Sequence, residues 1–182
     1  DLVFSFLYPT KIREDLARKL LDVSPDYFEK VVLLNTGSEA TDIAYKIIKM
    51  WASKNNKKYI VSFKGAYHGR VLSSDLISGT PESSEWSNVK DDDCLFLDFP
   101  YRAGDKFDPS TLGDPRDIAA FFIETYQGWG SWFYPDQYMK DLHDFARENN
   151  ILLCFDEIQS GMYRMGELYG YMTYGEYLKP DI

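Results

Sequence analysis

The stretch from Leu33 to Trp51, LLNTGSEATDIAYKIIKMW, decides the fold class because a strand-like apolar run passes directly into a helical pattern. Thr36 and Glu39 in this stretch have the spacing of a capping box, in which two residues cap each other at a helix start. The apolar residues that follow share one face at helical spacing: Ala40, Ile43, Ala44, Ile47, Ile48 and Trp51. A strand joined to a helix by so short a turn predicts alternating strands and helices.

Further apolar runs and helical patterns extend this prediction along the chain. The predicted strands are Val31–Leu34, Tyr59–Phe63, Cys94–Phe99, Ala119–Thr125 and Ile151–Phe155. These runs are continuously apolar rather than alternating, which is typical of strands covered on both faces. Helical patterns lie at Lys11–Leu21, after Gly37 and after Pro135-Asp136, and Pro81–Asp93 and Tyr101–Arg116 are predicted loops. We therefore predict an α/β fold with three layers, αβα, around a mostly parallel sheet.

Composition and charge limit the partners of the chain. Its 182 residues are 45% hydrophobic and carry a net charge of -9. That charge argues against binding to nucleic acid or to an anionic membrane, because both need clustered Lys and Arg. No run approaches the roughly 18 apolar residues of a membrane span, so we expect no membrane segment.

Two other composition features favour structural interpretations. Cys94 and Cys154 lie in apolar runs, which predicts small buried side chains, no disulfide framework and a reducing, cytoplasmic location. The acidic run Asp91-Asp92-Asp93 is interpreted as a solvated turn, because three adjacent carboxylates converge poorly on one metal ion. We therefore predict no metal site.

The turn Thr36-Gly37-Ser38 has two interpretations. It caps the helix, or it also binds a phosphate, because a helix start presents free N–H groups and a partial positive charge. Gly37 would let the backbone approach an anion, and Ser38 would add a hydroxyl donor. Neither the Walker motif nor the G-x-G-x-x-G fingerprint is present.

Three more polar or aromatic side chains follow predicted strands. Tyr67, in SFKGAYHGR, could stack on a planar ring or be a half-buried core residue beside a surface histidine, His68. Glu124 ends an apolar strand, where it could be an ion-pair partner or a carboxyl group with a raised pKa. Asp156 could pair with a cationic ligand or with Arg164. Together these features suit a planar, phosphorylated, cationic heteroaromatic cofactor.

The motifs of the chain resemble those of one family, the class III, ornithine/4-aminobutyrate-type aminotransferases. These are pyridoxal-phosphate enzymes of fold type I. Asn35–Ala40 is similar to the family's N-[ST]-G-[ST]-E-A, and Gly65–Arg70 matches G-x-[YF]-H-G-R. The third motif, D-E-[VI]-Q-[ST]-G-x-x-R-x-G, matches Asp156–Gly166, and Pro180–Ile182 resembles the P-D-[IL] that follows. The resemblance runs almost end to end.

The resemblance implies pyridoxal phosphate as the cofactor and assigns roles to particular residues. By the resemblance, Gly37 and Ser38 hold the phosphate, Tyr67 stacks on the ring, Asp156 pairs with the pyridine N–H, Ile158 packs on the other ring face, Gln159 lies near the phenolic oxygen, and Glu124 lies near the reacting carbon. Glu124 and Asp156 are thus the expected catalytic residues. The charge of Asp156 would keep the ring protonated.

The chain also departs from the family pattern. Thr125 stands where the family usually has Pro after the strand-end Glu. The family's Schiff-base lysine is expected on the next strand, beyond Ile182, and Lys64 and Lys179 lie in the wrong motifs to replace it. With no N-terminal Met, residues 1–182 are expected to be a partial large domain without the small C-terminal domain, inactive alone.

The implied reaction of the parent protein is transfer of an amino group from an amine or amino acid to a 2-oxo acid. The family's dimeric form implies a homodimer. Two alternatives stay open. One is another pyridoxal-phosphate reaction on the same scaffold, by an aminomutase, racemase or decarboxylase. The other is a non-catalytic homologue or binding module.

Overall fold

The computed structural model describes residues 8–80 and 92–182, and the chain divides into two compact units, residues 1–35 and 36–182. The first unit contains α1, Lys11–Val23, so the predicted helix is confirmed and extends two residues further. Pairs at i,i+4 stabilise its exposed face, for example Lys11 with Asp15 at 2.6 Å. The Ser24 hydroxyl donates to the Leu20 carbonyl at 2.6 Å where the helix ends.

One strand prediction is wrong. Residues 31–34 have no regular secondary structure, and the side chains of Val32 and Leu34 are 60% and 41% exposed. An apolar run becomes a strand only where a neighbouring strand accepts and donates its backbone hydrogen bonds. The local sequence cannot supply that neighbour.

The second unit contains the sheet and its helices. Its α-helices are α2 (Gly37–Lys54), α3 (Leu72–Leu76) and α4 (Asp136–Glu148). Its strands are β1 (Tyr59–Phe63), β2 (Cys94–Leu97), β3 (Ile118–Glu124), β4 (Tyr126–Gln127), β5 (Trp132–Phe133) and β6 (Leu152–Asp156). Short 3₁₀ helices lie at Pro109–Leu112, Pro115–Asp117 and Gly170–Tyr174. The first two interrupt the predicted loop Tyr101–Arg116, and most of the predicted loop Pro81–Asp93 lies outside the described residues.

The main sheet has the order β2-β1-β3-β6, and its neighbouring strands are all parallel. Four of the five predicted strands therefore exist, although the one that begins at Cys94 ends at Leu97 rather than at Phe99. The pair β4 and β5 forms a short antiparallel hairpin outside this sheet. Because the four strands are parallel, their carboxyl ends meet at one edge. Glu124 and Asp156 are register partners at that edge.

Helices cover both faces of the sheet. On one face, α2 packs against alternate strand residues in a cluster that includes Ile48, Ala52, Ile60, Ala120, Phe122 and Cys154. On the other face, Tyr138 and Phe145 of α4 contact Phe63 and Phe121, with ring centroids 6.3 and 6.4 Å apart. The predicted three-layer αβα fold is therefore confirmed. Alternation of side chains along each strand explains why continuously apolar runs serve both layers.

The predicted burial is confirmed for Cys154 but not for Cys94, and Asp93 of the acidic run lies in a turn where it pairs with two lysines. Cys154 is 2% exposed, whereas Cys94 is only half-buried, and neither forms a disulfide bond. Asp93 accepts from Lys49 at 2.9 Å and lies 3.3 Å from Lys58, while Asp91 lies outside the described residues. Within residues 8–80 and 92–182 there is no group of side chains arranged to hold a metal ion, and no helix there is long and apolar enough to cross a membrane.

Candidate functional site

A cleft of about 420 Å³ lies at the carboxyl edge of the sheet. It is lined by all seven predicted site residues, namely Gly37, Ser38, Tyr67, Glu124, Asp156, Ile158 and Gln159. The other lining residues, which the sequence analysis did not assign to the site, are Thr36, His68, Gly69, Tyr126 and Ser160. The cleft therefore draws its residues from the ends of β1, β3 and β6 and from the start of α2.

The start of α2 forms the capping box that the spacing predicts. Thr36 Oγ1 accepts from the Glu39 amide at 3.2 Å, and Glu39 Oε2 accepts from the Thr36 amide at 3.1 Å. The first helical amides, at Gly37 and Ser38, have no acceptor within the helix. A Cβ at Gly37 would come within 2.8 Å of the Ile158 Cδ1, so a larger residue there would displace the Ile158 side chain. The turn thus caps the helix and leaves amides available to an anion.

A second segment is held against this helix start. Ser38 Oγ accepts from the Arg70 amide at 3.1 Å, and Thr41 Oγ1 donates to the His68 carbonyl at 2.6 Å. Gly69 has a φ of +129°, and a Cβ there would come within 2.5 Å of Ser38 Oγ. Only a glycine fits this position without displacing the serine hydroxyl.

Tyr67 lines the cleft with 47% of its side chain exposed. Its ring lies 5.5 Å from the Arg70 guanidinium carbon, a cation–π distance. Its amide donates to Glu124 Oε2 at 3.2 Å. The backbone of Tyr67 is therefore held by Glu124, while about half of the residue surface is accessible to a ligand. The interpretation of Tyr67 as a core residue is not supported.

His68 is the main site residue that the sequence analysis missed. It is 1% exposed, so its interpretation as a surface histidine is wrong. Its Nδ1 lies 2.9 Å from Asp156 Oδ2, and its Nε2 lies 3.3 Å from Ser62 Oγ. A carboxylate can only accept, so Nδ1 carries the hydrogen in this contact. Its ring packs edge-on against Phe122 at 4.7 Å.

Asp156 is a buried carboxylate with hydrogen bonds to both oxygens. It is 9% exposed, and its Oδ1 accepts from the Ile158 amide at 3.1 Å. The alternative of a salt bridge to Arg164 is wrong, because the Arg164 side chain donates to the Gly161 carbonyl at 2.8 Å instead. Asp156 therefore faces the cleft held by His68 and its own turn.

Glu124 lies beside Asp156 and is 8% exposed. Its oxygens accept from two backbone amides, those of Tyr67 at 3.2 Å and Gly128 at 3.4 Å. Burial raises the pKa of Glu124 from 4.5 to about 7, although His68 and the two amides act in the opposite direction. At neutral pH this carboxyl group can therefore both donate and accept a proton.

Tyr126 adds an aromatic wall that the sequence analysis did not predict. It lines the cleft and stacks on Phe133 of the hairpin, with ring centroids 5.2 Å apart. The neighbouring Gln127 holds the hairpin in place, because its Nε2 donates to the Lys64 carbonyl at 2.6 Å. The alternation of Tyr126 and Gln127 along a two-residue strand is too short to be recognised as a pattern.

Comparison with known proteins places this cleft in a family context. The family model described as aminotransferase class-III matches residues 2–182. A succinylornithine transaminase/acetylornithine aminotransferase of Pseudomonas aeruginosa is 34% identical over 171 residues, which are 92% of this chain and 40% of that protein. The chain thus spans about 40% of the length of the curated relatives it matches.

Solved structures share the fold of the chain. A transaminase from the marine bacterium Virgibacillus has a TM-score of 0.86 and 27% identity, covering 100% of this chain and 42% of that one. The ornithine aminotransferase of Toxoplasma gondii has a TM-score of 0.80 and 27% identity, covering 96% of this chain and 40% of that one. That structure has partial occupancy of pyridoxal phosphate (PLP) at its active site.

Proposed function

This chain belongs to the class III aminotransferases, and we propose that the longer protein containing it transfers an amino group from an amine or amino acid to a 2-oxo acid, with pyridoxal phosphate as cofactor. The observation that carries the proposal is the convergence of seven residues on one cleft. These residues come from separate motifs along the chain. Their convergence is what a cofactor with a phosphate, a flat ring and a ring nitrogen requires.

The phosphate end of the cofactor fits the start of α2. This helix has 18 residues, so its first turn presents a partial positive charge to the cleft. Gly37 has no side chain of its own to cover the backbone amides, and the Ser38 hydroxyl lies at the same turn. We assign the cofactor phosphate to Gly37 and Ser38.

We propose that the pyridine ring of the cofactor lies between two side chains that remain half exposed. Tyr67 and Ile158 line the cleft with 47% and 53% of their side chains exposed. We assign one ring face to each, and Gln159 to the phenolic oxygen. When bound, pyridoxal phosphate supplies a protonated ring that takes up electron density from the carbon bearing the amino group.

Asp156 is the residue that would hold the ring nitrogen in its protonated form. A buried carboxylate favours a cationic partner, and no Lys or Arg ion pair with Asp156 occurs among residues 8–80 and 92–182. His68 orients the carboxylate through Oδ2, and the Ile158 amide does so through Oδ1. We assign Glu124 to the substrate side, where its raised pKa suits it to position and exchange a proton with the amino group.

The lysine that the family uses is proposed to follow Ile182 in the longer protein. The Ile182 amide donates to the Leu153 carbonyl at 3.2 Å, and its carbonyl accepts from the Phe155 amide at 2.9 Å. This is the bonding pattern of a parallel strand beside β6. A strand that continued in this direction would run toward Asp156 at the cleft. Neither Lys64 nor Lys179 lines the cleft.

The proposal also includes the architecture of the parent protein. Residues 1–182 would form part of its large domain, with a small C-terminal domain elsewhere in the chain. A homodimer is proposed because large aromatic side chains are exposed, with Trp129 at 68% and Tyr163 at 66%. We propose a cytoplasmic location because Cys94 and Cys154 form no disulfide bond. Sedimentation of the full-length protein as a monomer would contradict the dimer.

The first experiment determines the coding region after Ile182, and the second measures the full-length protein. We expect a lysine on the next apolar strand, saturable binding of pyridoxal phosphate, and amino transfer that requires a 2-oxo acid. Asp156→Asn should lower the transfer rate at least about a hundredfold, because it removes the charge at the ring nitrogen. Asp141→Asn, on α4 and outside the cleft, is the matched control.

Other outcomes separate the alternatives. Product formed from the amino donor without any 2-oxo acid would favour an aminomutase, racemase or decarboxylase. A stop codon after Ile182, or a next strand without lysine, would contradict the catalytic proposal. Absence of pyridoxal phosphate binding would favour a non-catalytic homologue.

A further inference from the structure

The carboxylate of Glu157, the residue after Asp156, accepts four hydrogen bonds from other residues. Its Oε1 accepts from Thr125 Oγ1 at 2.5 Å and from the Tyr171 amide at 2.8 Å. Its Oε2 accepts from Ser160 Oγ at 2.7 Å and from the Gly170 amide at 2.7 Å. Glu157 and Thr125 do not line the cleft, whereas Ser160 does, so the carboxylate of Glu157 reaches the cleft only through its partners.

Thr125 is held on two sides. It is 0% exposed, its hydroxyl donates to Glu157, and its carbonyl accepts from the Tyr174 hydroxyl at 2.8 Å. Tyr174 belongs to the same 3₁₀ helix, Gly170–Tyr174, whose first amide bonds Glu157. Thr125, Glu157 and this helix therefore form a closed ring of hydrogen bonds. We call this ring the Thr125 latch.

The latch lies directly behind the two carboxylates of the cleft. Glu124 and Asp156 are register partners, and Thr125 and Glu157 are the next residue on each strand. The hydrogen bond between Thr125 and Glu157 therefore joins the two backbone segments immediately after the end of the β3–β6 ladder. On the β6 side, Glu157 also bonds Ser160 and so fixes the turn that carries Ile158. A proline at position 125 could not form this bond, because it has no hydroxyl group.

We propose that Thr125 is a positioning residue of the reaction, which acts through Glu157 to hold Glu124 and the turn 157–160 at a fixed separation across the cleft. This role rests on the proposed function. It gives the departure from the family pattern at position 125 a physical purpose. A small displacement of a group that acts on the substrate lowers the rate of reaction more than it lowers binding.

The test compares three variants of the full-length holoenzyme. Thr125→Val removes the hydroxyl but keeps the branched shape, and Thr125→Ser restores the hydroxyl. Thr111→Val is the control for the same substitution, because Thr111 is exposed in the helix Pro109–Leu112 and lies outside both the latch and the cleft. Turnover is counted per bound pyridoxal phosphate, so that a loss of folded protein does not lower kcat. Hydrogen exchange of the cofactor-free protein reports on the latch without any activity.

We expect kcat of Thr125→Val to fall about tenfold, while KM for the amino donor changes less than about threefold. Thr125→Ser and Thr111→Val should stay within about twofold of the wild type. Peptides covering residues 157–161 and 170–174 should exchange faster in Thr125→Val alone. Equal kcat in an active wild type and in Thr125→Val, or no rescue by serine, would overturn the role of Thr125. A wild type that transfers no amino group would overturn the proposed function, and this role with it.

Discussion

The raised pKa of Glu124 predicts a specific pH dependence of stability. Burial raises the pKa from 4.5 to about 7. Between these two values the folded protein holds a proton that the unfolded chain has released. Stability contributed by this group is therefore fully present below about pH 4.5, falls as the pH rises, and is lost above about pH 7. The two and a half pH units correspond to about 3 kcal/mol.

Glu124→Gln is the perturbation that isolates this effect. Glutamine has no charge to bury and keeps one acceptor oxygen, which can serve either the Tyr67 amide or the Gly128 amide. Because other titrating groups are common to both proteins, the difference in free energy of unfolding between variant and wild type reports on Glu124. The variant should gain stability relative to the wild type by about 3 kcal/mol between pH 4.5 and pH 8.

The assay is urea unfolding of the cofactor-free full-length protein, followed by tryptophan fluorescence at intervals from pH 4.5 to 8.5. Glu148→Gln, at the exposed end of α4, is the control for loss of a carboxyl group. A stability difference between Glu124→Gln and the wild type that stays constant across this pH range would contradict the raised pKa of Glu124. So would a difference that grows toward acid, because it would mean that the folded state stabilises the charged form.

Three further substitutions test other contacts. His68→Leu should weaken pyridoxal phosphate binding and destabilise the fold by about 2–3 kcal/mol, because Asp156 loses a buried charge-assisted bond. His68→Asn keeps a donor, so it should recover part of the binding and of the stability, measured by fluorescence titration and urea unfolding. Lys57→Met should lower the free energy of unfolding by about 1–3 kcal/mol, since the partly buried ammonium group bonds two carbonyls at 2.9 and 3.1 Å. An unchanged urea midpoint would contradict this. Gly69→Ala should weaken cofactor binding at least about tenfold, because its methyl group would displace the Ser38 hydroxyl and the positive φ disfavours alanine. Equal affinity of the variant and the wild type, measured by fluorescence titration, would count against the phosphate assignment.

Local rules account for the parts of the fold that the sequence predicted. The capping box at Thr36 and Glu39 formed because both partners are three residues apart on one helix start. The helices α2 and α4 followed the spacing of their apolar residues. Glu124 and Asp156 reached one cleft because parallel strands bring their carboxyl ends to one edge, a consequence of topology that the alternation of strands and helices already implies.

The pattern of apolar and polar residues in the sequence does not predict features that depend on contacts between distant segments. Residues 31–34 are apolar but do not form a strand, because a strand depends on a neighbour as well as on its own composition. His68 looked like a surface histidine, since its burial depends on β6 bringing Asp156 to within 2.9 Å of its ring. No spacing in the sequence encodes that distance.

Composition and spacing were enough to predict the alternating layers, the starts of α1, α2 and α4, and the carboxylates at the ends of β3 and β6, because backbone geometry and local burial control each of these. How those carboxylates are held depends on the tertiary structure. His68 behind Asp156, and Thr125 bonded to Glu157 across 32 positions of the chain, are contacts between segments far apart in sequence. Such contacts follow from packing in three dimensions, where a buried polar group must find its partner wherever the fold brings one.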